Sequence, residues 1–538
     1  MTEPYSLASA AARSTWPMPQ RSAAGGPWPI LAVLALALLL RVFFAAGISG
    51  NDDLSVANSA IGILDRGIGL PGGHYAARFG LTLPLAAVFR VAGVGVPQLV
   101  LLPLLASLIG VWLAWWLGCR LFDPLAGLLA AQALAFYPMD VEYAGLFFPD
   151  LIQGVALAGS VACAIEFGRQ KRGIGSAVAA GALWAYAYYV KIDAAVLVFV
   201  LLLAWGLGYL RLSRLLLVGL VALGLVGVEL VAYGVLTGDP LYHMTLERRA
   251  ANETLAAGMD YRELFTYPKA MFLTVYETGA HCYLLLAAFL LVLLRRERPA
   301  LLVAGWVAIF FAWLLFGVDP FGATLRLKPQ IPRYLMDFAV PMAVLIGWTF
   351  ATALRRLPVL LVGLVGVGAA LLAVVFMAFN GLSYQPAEAT RQSLDEAVRR
   401  DWFPLYTDVQ SMAIAVFMLH DSPRLPELHQ IQMHDFLAGK TTFGSIAEPR
   451  AWLLDNAAFE RRLAHRNLVT PIDPAQFGMK VTKVFSVDRP LPDMDYAILR
   501  GLVAVSDLVP VPGLRNHIRD TADDLLLPGV ASVYLLEK

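Results

Sequence analysis

The chain has 538 residues, of which 59% are hydrophobic and 15% charged, with a mean hydropathy of +0.66. So large an apolar share exceeds what a soluble core absorbs, and much of the surface must face lipid. With 41 Lys and Arg against 40 Asp and Glu, and the basic residues scattered through short loops, nothing in the charge pattern points to a nucleic acid.

Residues 1–27 carry Arg13 and Arg21 among Ser, Ala and Pro. The apolar run that follows is too long for a cleaved signal peptide and has no small-residue cleavage site after it, so a cytoplasmic segment leading into a retained signal-anchor helix is expected. Further apolar stretches lie at 96–118, 124–138, 150–167, 174–190, 194–210, 213–236, 270–294, 299–318, 333–354 and 357–379. With 28–48 they predict a polytopic α-helical membrane protein of about eleven transmembrane helices within residues 28–379. The loops Arg169-Gln170-Lys171-Arg172, Arg211 to Arg214, Arg295-Arg296-Glu297-Arg298 and Arg355-Arg356 are basic, and the positive-inside rule puts them in the cytoplasm.

That parity decides the segment Arg78 to Gly93, which is apolar but short and interrupted by Pro84 and Arg90. If it spanned, the basic N-terminus and the basic loops could not share one side. It therefore reads as an interfacial or re-entrant helix in a first outer loop, 49–95, behind a juxtamembrane helix from Asp53 to Arg66. The outer face also collects 139–149, the corner 191–193, 237–269, 319–332 and everything from 380. In that tail a helical pattern from Ala387 to Arg400 alternates with strand-like runs at Lys480 to Val487, Tyr496 to Leu499 and Val530 to Leu536. Residues 380–538 are thus expected to form an extracytoplasmic, periplasmic α/β domain. The three cysteines, Cys119, Cys163 and Cys282, fall in or beside apolar segments and suggest no disulfide framework.

Chemistry is expected first at Asn51-Asp52-Asp53, directly after the first span. Acids at a helix start also cap it, which is the structural alternative. Together with Gly67 to Gly80, these residues resemble the first outer loop of the GT-C class of membrane glycosyltransferases, the protein O-mannosyltransferase and aminoarabinose transferase relatives. There an acidic pair is followed by a small residue eight positions on, a Leu at twelve and a Gly at fifteen. Counted from Asp52, this chain has Ala60, Leu64 and Gly67. Its second acid is Asp53 where Glu is usual, and Val56 stands where an aromatic residue is expected. Further resemblances follow in order: Arg41 late in the first span, Leu117 to Phe122 after the second, Tyr137-Pro138, Phe148-Pro149-Asp150, Lys191, and Pro332-Arg333-Tyr334 with Pro341.

The resemblance implies an inverting glycosyltransferase of a bacterial inner membrane. It would take a sugar from a polyprenyl-phosphate donor and pass it to a lipid, glycan or protein acceptor on the outer face. A phosphate is already a good leaving group, so such an enzyme needs a carboxylate to deprotonate the acceptor and cations to meet the departing phosphate. Asp52 is then the expected base, with Asp53 tuning its pKa or holding the acceptor. Lys191, Arg333, Tyr334, Arg326 and Lys328 are candidates for the donor phosphate, although basic residues at an interface also simply snorkel. His74, Tyr75, Arg78 and Glu142 are candidates for substrate or acceptor contact. Asp150 could hold a divalent metal such as Mg or Mn, or serve only as a helix cap. Glu229, inside the seventh span, could reach the outer interface or pair with Lys191. A membrane transporter or lipid-linked-sugar flippase is the alternative, and an inactive scaffold a third reading. Charges gathered at the outer rim and the lack of an internal repeat favour the enzyme.

Overall fold

A computed structural model of the chain describes residues 27–169, 173–255, 265–273, 276–317, 330–435, 440–464, 470–491, 493–507 and 530–538, with scattered positions between 512 and 526. Every apolar stretch singled out in the sequence contains a helix. Six helices among the described residues are long and apolar enough to cross a membrane: Val96–Leu121, Pro149–Gly168, Leu212–Thr237, Arg298–Phe316, Pro332–Leu354 and Val359–Leu382. Shorter apolar helices include Trp28–Phe43, Pro124–Ala135, Ile174–Val190, Ile192–Gly206 and His281–Arg295.

Enclosure differs sharply among them. The most apolar stretches of Pro149–Gly168 and Pro332–Leu354 are 83% and 89% buried, whereas that of Val359–Leu382 is 11% buried. The first two therefore run through the middle of the bundle and the last lies along its edge. Close approach of neighbouring helices rests on small residues: a Cβ on Gly118 would meet Gly127 Cα at 2.6 Å. Helices Val96–Leu121 and Pro124–Ala135 can pack only because both positions are glycine.

At one end of the bundle the first long loop folds into helices Asp52–Arg66, His74–Ala77 and Phe79–Ala92, the last with Pro84 inside it. The first of these buries Asp53, Leu54, Val56, Ala57, Ala60 and Ile61. Their three- and four-residue spacing makes one inward face. Asp52, four residues before Val56 and eight before Ala60, sits at the edge of that face and is partly exposed.

The C-terminal region mixes helices and strands: β1 (Leu405–Thr407), β2 (Leu428–Gln430), β3 (Gln432–Asp435), β4 (Lys440–Phe443), β5 (Arg450–Asp455), β6 (Lys480–Val487) and β7 (Ala531–Glu537). The main sheet has the order β2-β1-β5-β7-β6, with β1 parallel to β2 and β5, and β7 antiparallel to β5 and β6. A separate hairpin pairs β3 with β4. The helix expected from Ala387 is Gln385–Arg399. The run Tyr496 to Leu499, expected as a strand, instead lies within helix Asp493–Ser506. Tyr496 and Leu499, three apart, pack together on Phe379 and Leu382 at the end of the last membrane helix, and a helical period serves that contact where an alternating one would not.

Candidate active site

A network of charged and aromatic side chains occupies the end of the bundle that carries the C-terminal domain. Pro149–Arg169 and the 3-10 turn Pro332–Phe338, which opens the other enclosed helix, supply Asp150, Arg333 and Tyr334. The turn at the end of Ile174–Val190 supplies Lys191, held through its backbone carbonyl by the Gln153 amide at 2.8 Å. The first loop brings Asp52, His74, Tyr75 and Arg78.

Asp52 receives the Arg333 Nη2 donor at 2.6 Å and the Tyr75 hydroxyl. Burial pushes its carboxyl up, but Arg333, Tyr75 and Arg78 outweigh that and hold it below the usual carboxylate range. The Tyr75 hydroxyl is pushed up by burial and by the Asp52 charge, so it acts as a donor. Arg333 Nε lies 3.2 Å from Asp150 Oδ2, and its guanidinium covers the Phe148 ring at 4.6 Å. Lys191 Nζ donates to Asp150 Oδ1 at 2.8 Å, lies 3.5 Å from Asp193 Oδ2 and sits 3.4 Å from the centre of the Tyr334 ring. Cations and acids thus alternate: Asp52, Arg333, Asp150, Lys191, Asp193.

Asp53 is placed differently. Its carboxylate is buried and accepts from the Ser49 N–H at 2.6 Å, the Ser49 hydroxyl at 2.7 Å and the Asn51 N–H at 3.0 Å. Burial raises its carboxyl in spite of these donors. Arg78 forks onto Glu247 of helix Tyr242–Leu255 at 2.8 and 3.2 Å, and lies over the Tyr75 ring, which in turn meets the His74 ring. Glu142 stands apart from Asp52 on helix Pro138–Ala144, where the Tyr384 hydroxyl donates to it at 2.5 Å. Burial, then the nearby Glu277 carboxyl, lifts Glu142 to about 8. Arg326 and Lys328 lie outside the described residues.

Glu229 does not pair with Lys191. The acids Asp150 and Asp193 already hold that ammonium, and Glu229 Oε1 meets His243 Nδ1 at 3.0 Å. Sequence patterning singles out neither His243 nor Glu247. Their four-residue spacing on an amphipathic helix is the one signal that points to them. As for a metal, Asp150 lies between two cations, surroundings that suit an anion. Among the described residues no group of three or more His, Cys, Asp or Glu could hold a metal ion.

Residues 81–232 match the family described as dolichyl-phosphate-mannose-protein mannosyltransferase, a stretch that includes Asp150 and Lys191. In structure the chain is similar to the apo oligosaccharyltransferase of Archaeoglobus fulgidus, with 10% identity and a TM-score of 0.54 over 95% of this chain and 89% of that one. The GT-C fold of membrane glycosyltransferases is present. A second match is to AglB of the same organism in complex with an inhibitory peptide and a dolichol-phosphate, with 11% identity and a TM-score of 0.52 over 94% and 88% of the chains. ArnT from Cupriavidus metallidurans bound to undecaprenyl phosphate also matches, with 14% identity and a TM-score of 0.47 over 82% and 95%. No curated protein matches the sequence. The Archaeoglobus enzyme has also been crystallised with zinc and sulfate.

Proposed function

We propose that this GT-C protein is an inverting glycosyltransferase acting on the outer face of a bacterial inner membrane, with a polyprenyl-phosphate sugar as donor and a lipid, glycan or protein as acceptor. The observation that carries the reading is an ionised Asp52 fixed by Arg333 and Tyr75 beside the Lys191–Asp150 pair, at the mouth of the two most enclosed helices. Residues 28–379 are the catalytic membrane domain, and 380–538 the extracytoplasmic domain seated over the site. The basic loops favour this orientation.

In the reaction, an acceptor hydroxyl attacks the anomeric carbon from the side opposite the phosphate. The new C–O bond forms as the bond from that carbon to the phosphate oxygen breaks, the acceptor proton passes to Asp52, and the phosphate leaves with the bonding pair. Arg333 and Lys191 meet the charge that develops on it, exchanging their carboxylate partners for phosphate oxygens. Tyr334 and Phe148 confine the two cations from the side. Asp53 ties down the loop that carries Asp52, and Tyr75 and Arg78 face the acceptor side.

The test is Asp52→Asn in the full chain, assayed in vesicles with a lipid-linked labelled sugar. The variant is expected to insert and fold as the parent does and to lose about 100- to 10,000-fold in sugar transfer. Full activity would overturn the assignment of the base.

A further inference from the structure

The loop that carries Asp52 is gripped from two sides. From within, Asp53 holds Ser49 and Asn51 by their N–H groups. From above, Gly50 presses against the C-terminal domain: its φ is +81°, and a Cβ there would stand 3.2 Å from Ile414 Cδ1 and 3.4 Å from Phe459 Cζ. Ile414 belongs to helix Val409–Met418, which follows β1, and Phe459 to helix Ala457–Ala464, which follows β5. Both side chains are buried.

That position has a topological meaning. The chain leaves β1 to form β2 on one side and returns as β5 on the other, so the strand order reverses between β1 and β5. In open α/β sheets the crevice at such a reversal, beyond the carboxyl ends of the strands, is where ligands bind. Here its floor is filled by the domain's own side chains. Asp408 caps its helix by accepting from the Gln410 and Ser411 N–H groups at 2.9 Å each, and the Asn456 amide donates to Pro386 O and Thr390 Oγ1 at 2.7 Å each. At its mouth lies Gly50, with Gln410 Nε2 3.5 Å from Asn51 Oδ1. Ile48, Leu54, Val56 and Ala57 of the loop share one apolar cluster with Ile414 and Phe459.

We propose that the switch-point crevice of the C-terminal domain takes the Ser49–Asn51 loop as its ligand, and that Ile414 and Phe459 are positioning residues that, through Gly50, set Asp52 two residues beyond it. The inference rests on Asp52 being the base. A carboxylate displaced by about 1 Å loses on the order of 100-fold in rate without losing substrate. An inactive crevice of the same shape would merely stabilise the fold.

The experiment measures transfer by Ile414→Ala, Phe459→Ala and Phe459→Leu in the full chain, together with the thermal midpoint of each. The alanine variants are expected to lower kcat by about 10- to 100-fold while the donor KM stays within about threefold of the parent, as expected when orientation and not ground-state binding is lost. Phe459→Leu, which refills most of the space, is expected to recover most of the rate. Folded alanine variants with unchanged kcat overturn the proposal. In parallel, a thiol cross-linker applied to Asn51→Cys/Gln410→Cys in membranes is expected to join the two positions, read by mass spectrometry. If the parent itself transfers no sugar, the enzymatic reading fails, and the cross-link alone decides whether the loop docks in the crevice. If the parent is active and no cross-link forms, the docking is wrong and the assignment of Asp52 stands.

Discussion

Arg41 and Arg333 each lie against an aspartate near the same end of the bundle, yet one is closed and the other open. The Arg41 side chain is 0% exposed, and every donor finds an acceptor: Nε reaches Ser107, Nη1 the carbonyls of Ala37 and Ala135, and Nη2 the Leu134 carbonyl and Asp140. Ser107 also donates to Asp140, which completes the ring. Arg333 is 18% exposed, shared between Asp52 and Asp150, and turned over a phenyl face. A guanidinium whose five N–H groups are spoken for has nothing to offer a ligand, and removing it leaves an uncompensated buried charge. One held between two carboxylates at an open edge can trade a partner for a phosphate. The first arrangement fits a lock between helices, and the second fits a site.

Substitution should separate the two arginines. Asp52→Asn is expected to lower sugar transfer by about 100- to 10,000-fold, the range for loss of a general base, at an unchanged thermal midpoint. Arg333→Lys keeps the charge but loses the fork, and transfer is expected to fall roughly 100-fold, read in the same assay. Arg41→Met should act in the opposite sense. It is expected to cost about 3–5 kcal/mol of stability by stranding Asp140, seen as a lowered unfolding midpoint in detergent, with the activity per folded molecule retained. A catalytic loss at full stability in that variant would erase the distinction between the two arginines.

Smaller effects depend on pH. The Asp52 carboxyl lies below its usual range, so the base is lost only as pH falls through that lowered value, and transfer should hold steady through mildly acidic pH. Tyr75→Phe removes one of the groups that lower it. The acid limb of the pH–rate profile is expected to move to higher pH, with a loss of a few-fold in rate at neutral pH. Glu142 behaves in the reverse way. Raised to about 8, it binds its proton more tightly in the folded state, so stability is full at acidic pH and declines as pH rises from the ordinary glutamate range through about 8. Glu142→Gln is expected to flatten that decline in unfolding midpoints measured across the same range.

Much of the architecture is legible in the order of the amino acids. The apolar stretches mark the helices because a chain in lipid must satisfy its backbone within each segment, which leaves a long uniform signature. Residues 78–93 form the short helix Phe79–Ala92, but Pro84 and Arg90, which read as interruptions in the sequence, lie inside it, and it ends at Gly93, whose φ is +81°. The spacing from Asp52 to Gly67 leads to the loop that brings Asp52 to Arg333, with Tyr75 and Arg78 following in the same loop. Tyr496 to Leu499 misleads because four residues of mixed character suit either period, and only the docking on Phe379 and Leu382 selects the helix. Glu247 escapes notice because its meaning depends on Arg78, 169 positions away in sequence.

The amino-acid sequence by itself determined the membrane class, the helical bundle, the α/β tail and the segments where charge gathers, since composition and periodicity are local properties. Only the tertiary structure decided which cations meet which acids, that Arg41 is sealed while Arg333 is not, and that Gly50 rests between Ile414 and Phe459. Those outcomes depend on burial and on angstrom-scale distances between residues hundreds of positions apart, and no local pattern encodes them.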